Sequence, residues 1–368
     1  MKLSKIIRKS TAAIIAVMLP IVILGGCGNT AGGGQTEPPA PNTAGVNTDS
    51  TGEGLNIICT IFPKYDWTRQ VLGEQADNVN LTLLMDNLVD LHSYQPTVHD
   101  MVKISEADLF IYVGGESDAW VEGALKNAKP DVRTVNMMEI LGDRVKIEEL
   151  TEGMEHTHDH DDDDHDHDDE DDDHDHDDEE DEYDEHVWLS FRNAQILTLA
   201  ITEVLCELDP DNCEYYLDNA NGYIEKLYAL DDEYKAAVAA AEINTLLFGD
   251  RFPFRYLVDD YGIEYYAAFA GCSAETEASF ETVVFLANKL DELGLQYVMT
   301  TESCDGSIAN TIIQSSNDKN RTILALNSMQ SVTANDVANG VTYLSIMEGN
   351  LEVLGEALSE GSGVRNEE

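Results

Sequence analysis

The 368-residue chain predicts an α/β fold made of two βα-repeat lobes with parallel sheets, joined by one long rigid helix. Three observations carry that expectation. Short apolar runs alternate with helix-like segments upstream of an acidic tract. A long segment with helical periodicity follows it. The strand–helix alternation then begins a second time.

At the N-terminus, Lys2, Lys5, Arg8 and Lys9 precede an apolar run from Ala12 to Leu24, which is the layout of a secretory signal and short for a membrane span. The run ends in Leu24-Gly25-Gly26-Cys27, which resembles a bacterial lipobox. That resemblance implies cleavage before Cys27, a lipid on its sulfur, and an extracytoplasmic protein anchored to the cell membrane. Residues 1–27 are therefore read as signal. Residues 28–54, rich in Gly, Thr, Pro, Asn and Ala, read as a flexible linker.

Residues 55–208 read as the first lobe. Leu55 to Ile61, Val79 to Leu84, Asp108 to Val113 and Val132 to Val135 have the apolar continuity of strands buried on both faces. Tyr65 to Leu72, Thr97 to Glu106 and Asp118 to Asn127 read as the helices between them. Residues 152–185 read as a disordered loop, because a run of Asp, Glu and His buries too little apolar surface to fold. After it, Phe191 to Leu208 is helical. Residues 209–243 hold the connecting helix, with Tyr216, Ala220, Tyr223, Leu227, Leu230 and Tyr234 at three- and four-residue steps. In the second lobe, residues 244–368, the strands are Leu246 to Phe248, Ile263 to Ala268, Gln296 to Thr300 and Thr322 to Leu326. A last helix is expected from Asp336 to Leu358.

The acidic tract is also the strongest chemical signal. Between His156 and His186 there is no lysine or arginine, and histidine alternates with aspartate, as a plain spacer would not require. Imidazole and carboxylate are the donors that suit divalent first-row metals, imidazole suiting zinc best. His156, His158, His160, His165, His167, His174 and His176 are thus read as accessory metal ligands. Much of the formal charge of −51 lies in this tract and the remainder is acidic too, which argues against nucleic acid as a partner. Of the cysteines beyond Cys27, Cys206 and Cys213 flank a helix–helix turn and are placed to pair, as are Cys272 and Cys304 after strand-like runs. Cys59 reads as a small core residue.

In open parallel sheets ligands bind beyond the carboxyl ends of strands. His92, Asp250, Glu302 and Asn327 follow strands, and His186 stands where the acidic tract meets the next helix, so a four-coordinate metal site in the inter-lobe cleft is expected from His92, His186, Asp250 and Glu302. His99 reads as exposed. For the two acids, an ion-pair network with Arg251 and Arg255 is the other reading.

Several runs resemble the metal-binding proteins that serve zinc and manganese ABC transporters. LHSYQPTVHDMVKISEADLFIYVGG is similar to their DPHxYEPTPxD…ADLVxxNG segment, and EHVWLSFRNA to DPHVWLSPxNA. LDPDNCEYYLDNANGYIEKLYALD resembles their inter-lobe helix, while FRYLVDDYGI, ETEAS, TTES and YLSIMEGNLEVLGEAL resemble later signatures. The likeness runs in order from Leu55 to Leu358. It implies metal held between two lobes by His92 and His186, and delivery to a membrane permease. It breaks at the third ligand: where the family has His or Glu, three residues before Phe254, this chain has Arg251, which has no lone pair to give. Zn2+ is the expected cargo, Mn2+ the alternative, and a monomer the expected form. An acidic metal buffer or adhesin would need only the His/Asp tract. A hydrolase is not expected, since no HExxH or GxSxG stretch occurs.

Overall fold

The computed structural model describes residues 54–154, 182–273 and 277–359. The signal and linker, Cys27 and the histidines from His156 to His176 lie outside those residues. Within them no helix is long and apolar enough to cross a membrane.

The first lobe is built on β1 (Asn56–Cys59), β2 (Asn80–Leu83), β3 (Leu109–Tyr112) and β4 (Arg133–Asn136), all parallel in the order β2-β1-β3-β4. Its helices are α1 (Phe62–Leu72), α2 (Val98–Ser105), α3 (Val121–Leu125), α4 (Met137–Leu141) and α5 (Phe191–Leu208). The second sheet repeats the order as β6-β5-β7-β8, from β5 (Thr245–Phe252), β6 (Glu264–Ala270), β7 (Tyr297–Thr301) and β8 (Thr322–Leu326). In both sheets the central pair, β1 with β3 and β5 with β7, is where the strand order reverses, and such a point opens a crevice at the strands' carboxyl ends.

Between the lobes runs α6 (Cys213–Ala240), a helix of 28 residues that packs on α1, α5 and later helices of the chain. Its apolar stripe is the expected one: Tyr216, Ala220, Tyr223, Leu227, Leu230 and Tyr234 are all buried. A disulfide between Cys206 and Cys213 closes the turn from α5 into α6. The other expected pair does not form: Cys272 and Cys304 are free, as is buried Cys59. In the second lobe α7 (Arg255–Tyr261), α8 (Phe280–Glu292) and α9 (Ser307–Ser315) connect the strands. The expected closing helix is two, α10 (Ala334–Ala338) and α11 (Tyr343–Ala357). Gly340, at φ 88°, breaks the run, and Thr342 starts α11 afresh with a capping box.

One apolar core continues through both lobes, and a second lies on the far side of the β5–β8 sheet among α8 and α9. Polar ties also cross the boundary. Tyr343 in α11 takes its backbone N–H to Asp66 (3.0 Å) and its hydroxyl to the carbonyl of Trp188 (2.8 Å). The Trp188 indole donates to the carbonyl of Ser328 (2.8 Å).

Lys64, on α1, is fully buried and its Nζ has no protein hydrogen-bond partner. Burial pushes its ammonium down to about 7, only partly offset by Asp118, Cys59 and Glu185. Between that value and the ordinary lysine range the unfolded chain binds the extra proton, so stability rises with pH through this window and is lost as pH falls toward 7. Urea unfolding of Lys64→Met against the wild type should show a variant advantage that is full below pH 7. That advantage should shrink by about tenfold in the folding constant per pH unit above it. A gap that does not change with pH would remove Lys64 as the cause.

Candidate metal centre

At the crevice the two predicted histidines meet. His92 sits on a short 3-10 turn after β2, and His186 just before α5. Their Nε2 atoms are 3.3 Å apart. Each ring is fixed from behind. His186 Nδ1 is 2.9 Å from Asp184 Oδ1, and a carboxylate can only accept, so the proton is on Nδ1 and the Nε2 lone pair is bare. His92 Nδ1 is 2.8 Å from Ser117 Oγ, a hydroxyl that can donate or accept, and 3.5 Å from Glu185 Oε2. The two Nε2 atoms thus face each other. On a tetrahedral zinc with bonds of ~2.0–2.1 Å, two nitrogens stand ~3.3–3.4 Å apart, so this spacing is that of a ligand pair.

Burial first, then His186, hold the His92 imidazole well below its ordinary pKa and therefore neutral, with Asp90 pulling the other way and Arg251 adding to the depression. Asp90 fixes the backbone: its Oδ1 accepts from His92 N (2.9 Å) while its Oδ2 takes the Arg251 guanidinium (2.7 Å). Arg251, in the slot where a third ligand was sought, thus ties the lobes together instead. Arg255 pairs with Glu149, not with either predicted acid.

Asp250 and Glu302 do not join the histidines. The strand β5 runs on past Phe248 to Phe252, with its register to β6 shifting between Phe248 and Arg251. Gly249 packs so tightly on α9 that a Cβ there would lie 2.5 Å from the Ala309 Cα. Asp250 therefore lies inside the strand, and its Oδ2 accepts from Thr301 N (2.8 Å) and Thr301 Oγ1 (2.5 Å) on β7. Both oxygens of Glu302 are used by the loop after β8: Ser328 N (2.8 Å), Ser328 Oγ (3.1 Å) and Ser331 Oγ (2.8 Å). Asn327 braces the same loop, accepting from Met329 N at 2.8 Å. His99 is exposed, as expected.

Two side chains from the second lobe complete the surroundings, and neither was expected there. Cys272, in the turn after β6, is the third member of the one group of three His, Cys, Asp or Glu found among the described residues, with His92 and His186. The ligand atoms of the three lie within 4.8 Å of one another. Burial, then Asp184 and Glu148, hold its thiol far above the ordinary range, so without a cation it is protonated. Gln330, in the loop after β8, has Nε2 at 3.2 Å from His186 Nε2. The signal that would have found Cys272 was its place one residue beyond the Gly that ends a strand. The disulfide reading had absorbed it.

The ends of the acidic tract dock here too. Ile147 bridges Tyr183 antiparallel, Glu148 N donates to Glu182 O (2.8 Å) and Asp184 N to Lys146 O (2.9 Å). The segments on the two sides of the tract are therefore paired, and the second of them reaches His186 two residues after Asp184.

Replacing Asp250 with Ala strands two donors on Thr301. It should lower unfolding stability by ~1–3 kcal/mol while leaving divalent-metal affinity unchanged. Loss of affinity with stability intact would return Asp250 to the ligand set.

The family described as ZnuA, zinc-uptake complex component A, periplasmic, matches residues 57–357. The chain is 29% identical over 351 residues to the high-affinity zinc uptake system protein ZnuA of Bacillus subtilis, covering 95% of this chain and 98% of that one. It is 31% identical over 314 residues to the zinc-binding lipoprotein AdcA of Streptococcus pneumoniae (strain TIGR4), covering 85% of this chain and only 58% of that longer relative. Its fold is similar to the crystal structure of the Zn(II)-bound ZnuA-like domain of S. pneumoniae AdcA, with a TM-score of 0.62, 29% identity, and coverage of 83% of this chain and 100% of that domain. With a match spanning both lobes, the chain belongs to the ZnuA family of periplasmic zinc-uptake components.

Proposed function

We propose that the protein is an extracytoplasmic receptor that captures Zn2+ between its lobes and delivers it to an ABC permease for import. The observation that carries this reading is the opposed pair of imidazoles, 3.3 Å apart, with the His186 ring turned by Asp184 so that its Nε2 faces inward. The same spacing would suit a zinc hydrolase, but the family is one of transport components. His92 and His186 are the ligands common to this reading and to the sequence pattern. Manganese is disfavoured, since it prefers more oxygen donors and stands low in the affinity order at imidazole. Cys27 is the lipid attachment point in this reading, holding a monomer at the membrane surface near its permease.

The histidines from His156 to His176 serve as an antenna. The chain on either side of their tract meets at a strand bridge, Ile147 with Tyr183, close in sequence to His186. They raise the local concentration of metal rather than form the tight site.

Calorimetric titration with zinc and manganese, after chelator treatment, tests both parts. One tight zinc site should survive deletion of His156 to His176. His92→Ala or His186→Ala should weaken it by ~100-fold or more, since even outer-shell partners are worth ~10–100-fold. Only weak, multiple binding that vanishes with the tract would make the protein an acidic metal buffer. For the tract itself, stopped-flow capture at submicromolar zinc should slow on deletion with the cleft affinity retained. An unchanged rate would leave the antenna without a role.

A further inference from the structure

Resting on the receptor reading, we propose that Cys272 supplies the third protein ligand, making the centre a His2Cys site that takes one sulfur from the second lobe. Its place in the fold is where a third donor is needed, because the slot that carries it elsewhere in the family is filled by Arg251. That guanidinium is committed to Asp90 and cannot coordinate.

Four observations converge on the sulfur. The Cys272 Sγ and the two imidazole nitrogens lie within 4.8 Å of one another. A tetrahedral zinc holds a nitrogen and a thiolate ~3.6 Å apart, so a closure of about 1 Å or less completes the geometry. The turn that carries the residue is pressed against the first lobe: a Cβ on Gly271 would lie 3.2 Å from His186 Cε1 and 2.8 Å from the Phe252 carbonyl oxygen. Glycine at that position is what lets the sulfur reach the histidine. The backbone is also held, since Cys272 N donates to Glu148 Oε1 at 2.8 Å. Finally, the sulfur is in no disulfide and has a hydrogen bond with the backbone of Glu185, while Asp250 and Glu302 are both engaged elsewhere.

Loading is a simple exchange. The thiol gives up its proton to solvent as the sulfur–metal bond forms, and no electron moves. The fourth side faces Gln330, whose Oε1 is buried and has no protein hydrogen-bond partner. Exchanging the ends of that amide would put its oxygen 3.2 Å from His186 Nε2, at ligand spacing; otherwise a water takes the fourth position. A thiolate shifts the centre toward soft, thiophilic ions and away from manganese, so Cys272 sets selectivity as well as affinity.

Cobalt(II) is the probe, because thiolate-bound cobalt shows a near-ultraviolet charge-transfer band that imidazole and carboxylate do not give. The full-length chain, stripped of metal, should develop that band and lose it on adding zinc. Cys272→Ser should abolish the band and weaken zinc binding by ~100-fold or more, while Cys304→Ser should leave both unchanged. A wild-type protein that binds zinc tightly and shows no band refutes the sulfur ligand while leaving the receptor intact. So does a band that survives Cys272→Ser. The absence of any tight zinc site would overturn the receptor reading itself. If the serine variant does not fold, a band retained in Cys27→Ser, Cys59→Ser and Cys304→Ser assigns the sulfur to Cys272, since Cys206 and Cys213 are in a disulfide; its loss in any of these would overturn the proposal.

Discussion

The opposition of two imidazole Nε2 atoms, 3.3 Å apart, organises the site. Their other ring nitrogens are held from behind. Asp184 anchors one, and Ser117 the other, with Glu185 beside it. Those anchors are themselves seated: Ser117 N donates to Glu185 Oε1, and Glu185, whose pKa is raised by burial against the opposing effect of its bonds to Ser117, packs against glycine at Gly115. The arrangement holds two nitrogens at the spacing of a zinc ligand pair.

The rest of the fold holds that pair in place. Both imidazoles come from the first lobe, but the second lobe closes over them through Trp188 to Ser328, Tyr256 to Asp184 and Arg251 to Asp90. The Tyr256 hydroxyl donates to the Asp184 carbonyl at 2.8 Å and accepts from Lys146 N at 3.0 Å, so one side chain of α7 ties both ends of the acidic tract to the His186 anchor. Met329, with a backbone φ of 66°, holds Gln330 toward His186 by a conformation that non-glycine residues rarely adopt. Such strain survives because Asn327 and Asn350 lock the loop with paired bonds of 2.8 Å.

Much of this was legible in the sequence, and the failures have a common cause. The strands and the long connecting helix follow from local signals, apolar runs and a 3.6-residue stripe, and the sequence also singled out the two histidines that meet at the crevice. Asp250 misled because the run Leu246 to Phe248 gave no sign that the strand continues for four more residues through a bulge, carrying the carboxylate to Thr301. Glu302 misled because its partners, Ser328 and Ser331, come from a different loop. Cys272 was invisible for the same reason. Its neighbours His92 and His186 are distant in sequence, and only the packing of Gly271 on the imidazole brings it near. The closing helix was split by one glycine that a propensity argument tolerates.

The replacement at Arg251 and the presence of Cys272 are then best read as one exchange. A third imidazole from β5 would leave the centre with neutral donors and the cleft with no cationic clamp. An arginine there gives a hydrogen-bonded ion pair to Asp90, which is partly exposed and so worth little to global stability, but which fixes the His92 backbone from across the cleft. In the proposed site the third donor comes from the end of β6, the neighbouring strand, as a thiolate that carries the negative charge an imidazole lacks. The second lobe would then reach the metal through Cys272 and the loop that presents His92 through Arg251, by two adjacent strands rather than one ligand.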